Sequence, residues 1–283
     1  MGTESNLKNL FCCPYCHGEL IEFQNFYRCD CCSLRYKYEH NIYYFFNPNA
    51  SHWQKLKLTN INAWEEVDKN KDYEYMMARI DFPYLMEGRD IASSANGAML
   101  TYTYESISGS LSNGDKLPIL NIGVGSCWES YFFARYKPVI AMNVYETVRW
   151  INPGFGKGII RVVCDGAYLP IKDESVGMIF MCSTYHHFED KSRALEEWCR
   201  VLIPNGILVA IGENPGPFRA EESPQADIGE FAYTFAEMKE TFRNSPFRAI
   251  ENFPVQYSEN MEYKQCIELT GTNPDNGIII GVK

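Results

Sequence analysis

Residues 119–126 read ILNIGVGS, an apolar run that ends in a Gly-x-Gly turn and leads directly into a predicted helix. Glycines at positions 123 and 125 let the backbone approach a ligand at the carboxyl end of a strand, although such a pair alone is not specific. Short apolar runs alternate with helical patterns along the following chain, which predicts an α/β fold with a doubly wound sheet. The predicted strands are 117–122, 138–144, 159–164, 176–182, 207–212, 248–255 and 277–283.

The second predicted strand ends at Met142-Asn143, and Asn143 lies 22 residues after Asn121. Nucleotide-binding folds commonly place the side chain that holds the ribose hydroxyls at about this distance from the glycine turn. The spacing therefore predicts a ribose contact at Asn143.

Three later segments carry a family resemblance. Residues 163–179, VCDGAYLPIKDESVGMI, resemble the middle motif of class I S-adenosylmethionine-dependent methyltransferases, whose usual form is D-x3-L-P-F-x-D-x-S-F-D. The segments 185–190, YHHFED, and 194–206, ALEEWCRVLIPNG, continue it, the latter resembling a helix that ends in R-V-L-K-P-G-G. Over 117–283 the chain thus resembles a methyltransferase of type 11, which implies a Rossmann-like, seven-stranded, doubly wound sheet.

The resemblance also implies a binding site for S-adenosylmethionine. Asp165 is expected to accept a hydrogen bond from the adenine amino group, and Asn143 to hold the ribose. Gly123 and Gly125 are expected to line the methionine end, with residues 181–187 beside the transferable methyl group. The full set of expected cofactor contacts is Asn121, Gly123, Gly125, Asn143, Asp165, Gly166 and Ser183.

The sequence departs from the family pattern at four places. The family usually has acidic residues where Asn121 and Asn143 stand, a third glycine at Cys127, and Phe-Asp at 176–177, where this chain has Val-Gly. A neutral amide binds ribose hydroxyls less strongly than a carboxylate does. These departures leave open a second hypothesis, a methyltransferase-fold protein that no longer methylates and serves as a binding or regulatory subunit.

His186 and His187 are the candidate general bases. Methyl transfer from a sulfonium needs little from the protein beyond positioning and, for hydroxyl or amine acceptors, a proton acceptor with a pKa near neutrality. Both histidines follow the fourth predicted strand at the ligand-binding edge, and histidine titrates near physiological pH. The alternative is that they are hydrogen-bonded loop residues without a catalytic role.

An N-terminal zinc ribbon is predicted for residues 1–50. Cys13 and Cys16 form one C-x2-C knuckle and Cys29 and Cys32 a second, with 12 residues between the two knuckles, a spacing that brings four thiolates to tetrahedral Zn²⁺. The ribbon resembles the methyltransferase-activator type, fused to or partnering with methyltransferases. A closed four-cysteine site predicts a structural role for zinc, whereas docking of a protein or nucleic acid is the alternative.

Composition narrows the other properties. The formal net charge of −10 disfavours a broad nucleic-acid interface and weighs against a third hypothesis, an rRNA or tRNA methyltransferase. No membrane span and no targeting segment is predicted, so a cytoplasmic enzyme with a small-molecule substrate is expected, with a protein partner possible through the ribbon. Between the ribbon and the domain at 117–283, residues 51–116 are predicted to form a helical linker or lid.

Overall fold

The computed structural model describes residues 7–62, 65, 116–125, 128–146, 158–213, 235–247, 249–254 and 277–283. Most of the segment 51–116 and position 127 lie outside these residues, so the interpretation of that segment as a linker or lid stays a prediction. Within the described ranges, no helix combines the length and apolar character needed to cross a membrane.

The N-terminal ribbon consists of four short antiparallel strands. β1 is Leu20–Glu22, β2 is Phe26–Cys29, β3 is Arg35–Glu39 and β4 is Ile42–Tyr44. Each pairs with the next in an antiparallel hairpin. Aromatic rings fill the small space beneath these strands, with Tyr43 and Phe45 stacked at 5.9 Å and Phe11 at 5.0 Å from both.

Seven further strands form the larger part of the sheet, as predicted. Their bounds are β5 Ile119–Ile122, β6 Val139–Asn143, β7 Ile159–Val163, β8 Val176–Cys182, β9 Leu202–Glu213, β10 Ala249–Pro254 and β11 Gly277–Val282. Their order is β7-β6-β5-β8-β9-β11-β10, with β5 to β9 mutually parallel and β11 antiparallel to both of its neighbours. The doubly wound α/β prediction is confirmed.

The described helices lie on both faces of this sheet. They are α1 Ser51–Leu56, which continues in one further helical turn over Lys57–Ile61, α2 Trp128–Phe133, a 3-10 turn Tyr185–His187, α3 Lys191–Val201 and α4 Phe235–Arg243. α3 packs its apolar side, Leu195 and Trp198, in the same core cluster as Leu120. α2 packs Phe132 and Phe133 with Ile119 in a second cluster. Because successive residues of a strand face opposite sides, β5 is covered by helices on both.

α3 ends earlier than the sequence pattern indicates. The apolar periodicity of Leu195, Trp198, Cys199 and Leu202 predicts a helix that extends to Leu202 and is terminated by Pro204-Asn205-Gly206. In the structure α3 ends at Val201, and Leu202 is extended at φ −69° and ψ 141°, although it remains fully buried. A proline disfavours helical backbone at the residue before it, so the chain has left the helix before it reaches Pro204.

The ribbon and the larger sheet are one continuous structure, which the sequence did not indicate. β4 pairs in parallel with β7, Ile42 opposite Arg161 and Tyr44 opposite Val163, so the described strands form an 11-stranded sheet. Arg161 donates from Nη2 to the carbonyl of His40 at 2.7 Å, and the Phe45 amide donates to the Val163 carbonyl at 2.8 Å. The ribbon therefore covers the edge of the sheet that β7 would otherwise expose.

Candidate functional site

The predicted site residues meet at one edge of the sheet. β5 is flanked by β6 and β8. The strand order runs from β5 through β6 to β7 on one side and through β8 to β9 on the other, so the carboxyl ends of these strands form a topological switch point. Gly123 follows β5, Asn143 ends β6, Asp165 follows β7 and Ser183 follows β8. Ligands of open α/β sheets bind in the crevice at such a point.

Position 123 requires a glycine because of both its backbone conformation and the side chain packed against it. Its φ is +72°, in the left-handed region, and its amide donates to the Met142 carbonyl at 2.9 Å. A Cβ at this position would lie 2.3 Å from Oγ1 of Thr184, so no side chain fits. Gly125 also has a positive φ, +33°. Their glycine identity leaves bare backbone at the end of β5.

The two asparagines have different environments. Asn121 is fully buried, and its Oδ1 accepts from Oγ of Ser130 at 2.8 Å, which ties α2 to β5. Asn143 is 8% exposed at the end of β6, and its Oδ1 accepts from the Val144 amide at 2.9 Å. Asn143 therefore stands at the rim of the crevice, whereas Asn121 lies beneath it.

Asp165 lies in the turn after β7. Its Oδ1 accepts from the Ala167 amide at 2.9 Å. Burial raises the pKa of this carboxyl to about 6, although the hydrogen bond from Ala167 and the charge of Arg193 act in the opposite direction. The adjacent Gly166 is packed closely, because a Cβ there would lie 2.8 Å from the ring of Phe188. Its carbonyl accepts from Nε1 of Trp198 at 3.0 Å, which anchors the turn to α3.

The turn after β8 is held in an unusual conformation. Ser183 is exposed, with a φ of +48°, and its amide donates to the Ile211 carbonyl at 2.9 Å. Thr184 donates from Oγ1 to the Cys182 carbonyl at 2.8 Å. Non-glycine residues at positive φ are held there by their surroundings and occur often at functional sites. Thr184 was not singled out from the sequence, because its contact with Gly123 joins residues 61 positions apart.

His186 and His187 follow in the 3-10 turn. Their rings are 4.2 Å apart, and Nδ1 of His186 lies 3.2 Å from Oε2 of Glu213 at the end of β9. Glu213 is fully buried. Nearby, burial lowers the pKa of Lys191 to about 8, and its ammonium donates to the Phe188 carbonyl at 2.7 Å. The structure therefore adds a buried carboxylate to the predicted histidine pair.

Four cysteines of the ribbon converge. The sulfur atoms of Cys13, Cys16, Cys29 and Cys32 all lie within 4.8 Å of one another, with Cys16 and Cys29 at 3.4 Å. Tetrahedral zinc with bonds of about 2.3 Å places its sulfur ligands about 3.8 Å apart, so the cluster has the right size. Cys12 is buried outside the group, and Cys31 is exposed outside it. The four cysteines predicted as ligands therefore lie together, and their role as zinc ligands stays a prediction.

The ribbon contacts the segment that follows Asp165. The Cys12 amide donates to the Pro170 carbonyl at 3.1 Å, and the Lys172 amide donates to the Leu10 carbonyl at 2.8 Å. Between these two hydrogen bonds, Phe11 and Ile171 form an antiparallel bridge. The chain that enters the cysteine cluster is thus paired directly with the predicted middle motif of the cofactor site.

Comparison with known proteins identifies the central part of the chain. A family described as a methyltransferase domain matches residues 120–210. The chain resembles a methyltransferase domain over these residues. The matched range begins in β5 and ends within β9, so it includes the glycine turn, Asp165 and the histidine pair. The type 11 resemblance is confirmed for this range.

Two curated relatives are similar over short stretches. A probable tRNA methyltransferase 9B of Homo sapiens is 39% identical over 56 residues, which is 19% of this chain and 12% of that protein. A malonyl-[acyl-carrier protein] O-methyltransferase of Methylococcus capsulatus is 41% identical over 69 residues, 24% of this chain and 25% of that protein. The chain therefore spans at most a quarter of the length of these relatives.

Among solved structures, geranyl diphosphate C-methyltransferase from Streptomyces coelicolor A3(2) is similar with a TM-score of 0.50. The likeness covers 84% of this chain and 99% of that chain, at 13% sequence identity. At this identity the likeness concerns the fold alone, and it agrees with the methyltransferase domain assigned above.

Proposed function

We propose that this chain is an S-adenosylmethionine-dependent methyltransferase that acts on a small-molecule biosynthetic acceptor. The observation that carries the proposal is the turn at Gly123, where a left-handed backbone and the close approach of Thr184 exclude any side chain. This bare turn lies at the switch point of a methyltransferase domain, where a ligand can contact the backbone directly.

The polar groups around the crevice match the hydrogen-bonding groups of the cofactor. A carboxylate offers about four lone-pair sites, so Asp165 retains acceptor capacity for an adenine amino group beside its hydrogen bond from Ala167. Asn143 would hold the ribose from the rim, and Gly123 and Gly125 would line the methionine end. Asn121 would act from beneath, and Gly166 and Ser183 would border the adenine and methyl ends. When bound, S-adenosylmethionine supplies a methyl group on a sulfonium.

Zinc is proposed as a structural ion of the ribbon. Thiolates are the preferred ligands of structural Zn²⁺, and two polar donors already face these sulfurs. The Cys32 amide lies 3.4 Å from Sγ of Cys29, and the Tyr36 hydroxyl lies 3.0 Å from Sγ of Cys13. Four cysteine ligands leave no open coordination position for a substrate. The ion would instead hold the segment Leu10–Cys13 against the chain that follows Asp165.

The net negative charge of the chain favours a small-molecule acceptor over a nucleic acid. The net charge of −10 opposes binding to polyanionic nucleic acid, because no excess of cations is available to displace its counterions. The O-methyltransferase relative, named for malonyl-[acyl-carrier protein], offers an example of an oxygen acceptor. For a hydroxyl or amine acceptor, His186 or His187 would serve as the proton acceptor.

The proposal is tested by calorimetric titration of the zinc-loaded protein with S-adenosylmethionine and, separately, with S-adenosylhomocysteine. Micromolar affinity for both supports it. Asn143→Asp should bind about five- to tenfold more tightly, because a carboxylate accepts charge-assisted hydrogen bonds from the ribose hydroxyls. Asp173→Asn, an exposed change beyond the crevice, is the matched control and should leave affinity unchanged.

No binding of either compound by the parent protein would contradict the proposal. If Asn143→Asp then created binding, the second hypothesis, a non-methylating binding or regulatory subunit, would replace it. Binding followed by methylation of RNA but not of small molecules would instead support the tRNA or rRNA alternative.

A further inference from the structure

Glu213 is a fully buried carboxylate that the proposed cofactor contacts do not use. Its Oε1 accepts from the amides of Thr184 and Tyr185, at 2.7 and 2.8 Å. Its Oε2 lies 3.2 Å from Nδ1 of His186. A carboxylate buried this deeply is tolerated only when its oxygens are hydrogen-bonded, and here both oxygens have partners in the turn that carries the histidines.

Strand pairing sets this arrangement. β8 and β9 are parallel neighbours with Cys182 opposite Ile211, so the end of β9 lies beside the turn that follows β8. The two backbone donors fix one carboxylate oxygen and thereby the orientation of the other. The position of Oε2 is therefore determined by the fold, independently of any ligand.

The contact determines which nitrogen of His186 carries the proton. An ionised carboxylate only accepts hydrogen bonds, so Nδ1 must be the protonated nitrogen that donates to Oε2. In a neutral imidazole, Nε2 then bears the lone pair. This is the tautomer that a general base requires when its Nε2 faces the proton to be removed.

We infer that Glu213 is a positioning residue that holds His186 in the Nδ1–H tautomer, so that Nε2 accepts the proton of the methyl acceptor. The inference rests on the proposed function and names His186, of the two histidines, as the base. As the acceptor's oxygen or nitrogen bonds to the methyl carbon, the carbon–sulfur bond breaks and its electron pair stays on sulfur. The acceptor's proton passes to Nε2, and Glu213 remains ionised throughout.

The charged groups around the pair agree with an ionised Glu213. Burial raises the pKa of Glu213, but the hydrogen bond and charge of His186 and the two backbone donors outweigh it, and the net pKa lies below the usual value. Lys191 of α3 adds a cation that interacts with Glu213, and Glu237 of α4 acts on Lys191 in turn. His187 also lies beside His186, with the two rings 4.2 Å apart.

A purely structural role for Glu213 is the alternative, in which it only caps the turn through Thr184 and Tyr185. Glu213→Gln separates the two roles. The amide oxygen of glutamine can still accept from both backbone donors, whereas its NH₂ group faces Nδ1 and donates to it. The turn is then preserved, and His186 is forced into the opposite tautomer, with the proton on Nε2.

The test is heteronuclear NMR of the full zinc-loaded chain, in which the five histidines are ¹⁵N-labelled. His186→Gln assigns the resonances, and His187→Gln is the matched control. Parent protein should show His186 in the Nδ1–H form, and Glu213→Gln should convert it to the Nε2–H form, since the glutamine amide donates where the carboxylate accepted. His187→Gln should leave the tautomer of His186 unchanged.

An Nε2–H tautomer in the parent protein overturns the inference, and this measurement needs no substitution and therefore does not depend on the variant's folding. A tautomer that is the same in the parent and in folded Glu213→Gln overturns it as well. The readout does not involve the cofactor, so a failure to bind S-adenosylmethionine would remove the proposed function while the tautomer result stood on its own.

Discussion

Arg200 and Glu197 form a bidentate ion pair one turn apart on α3. Nη2 of Arg200 lies 2.9 Å from Oε2 of Glu197, and Nε of Arg200 lies 3.0 Å from Oε1. Both side chains also hold the segment that follows Asp165. Oε2 of Glu197 accepts from the Leu169 amide at 3.0 Å, and Arg200 donates to the Ile171 carbonyl at 2.7 Å. The pair thus connects α3 to the segment that lies between the ribbon and the cofactor site.

Glu197→Ala should destabilise the protein by about 2–4 kcal/mol, because it leaves the buried Leu169 amide without its acceptor and Arg200 without its buried, bidentate anion. Asp173 also pairs with Arg200, at 2.7 Å, but its side chain is 70% exposed. Asp173→Asn should therefore cost no more than about 1 kcal/mol. Urea unfolding of the three proteins measures both values, and equal losses for the two variants would contradict this account of the pair.

Gly123→Ala should destabilise the protein by about 2–4 kcal/mol and abolish cofactor binding. The new Cβ would clash with Thr184, and alanine disfavours the positive φ of this position. Gly158→Ala is the matched control, because Gly158 has a φ of +86° and a Cβ added there would have nothing within 4 Å. It should cost about 1–2 kcal/mol for backbone strain alone and retain binding. Thermal unfolding and calorimetry distinguish the two, and full cofactor affinity in Gly123→Ala would refute the close-approach argument.

Asp165→Asn should stabilise the free protein at pH 7 while weakening cofactor binding. The pKa of Asp165 rises from 3.8 unfolded to about 6 folded, so the folded state binds more protons between these values and stability falls as the pH rises through this window. The gain from Asn should grow from about 0.5 kcal/mol at pH 4 to about 2–3 kcal/mol at pH 7. Unfolding measured across this range checks it, and a gain independent of pH would show that ionisation is not the cause.

Cys29→Ser should lower zinc affinity more than roughly 100-fold, because it removes one of four thiolate ligands. Cys31→Ser is the matched control two positions further on, an exposed cysteine outside the convergent group. Metal analysis by mass spectrometry and competition with a chromogenic chelator should find one zinc ion per chain in the parent and in Cys31→Ser. Loss of zinc from Cys31→Ser alone would mean that the ligand set is assigned wrongly.

The sequence was sufficient for those parts of the fold that depend on local patterns. Strands β5 to β8 coincide with short apolar runs, because strands buried on both faces contain few polar residues. The C-x2-C spacing likewise identified the four converging cysteines, since each knuckle is a tight turn formed by neighbouring residues. Gly123 was recognised from its motif, and the structure supplies its reason.

Contacts between distant residues could not be predicted in this way. The pairing of Ile42 with Arg161 has no local pattern, because either strand could pair with many others of similar composition. Thr184 carries no motif, and the pairing of Glu213 with His186 follows only from the side-by-side position of β8 and β9. The family resemblance alone predicted a cofactor contact for Asn121. Its burial against Ser130 depends on how α2 packs on the sheet.

The parallel pairing of β4 with β7 has a consequence for biosynthesis. The paired residues Ile42 and Arg161 are 161 − 42 = 119 positions apart. At translation rates of about 5–20 residues per second, roughly 6–24 s separate their synthesis. Each ribbon hairpin joins strands that are neighbours in the sequence and can therefore form early, so for that interval a nascent chain presents β4 as an open edge. Protection of this edge during translation thus becomes a requirement for a correctly assembled protein.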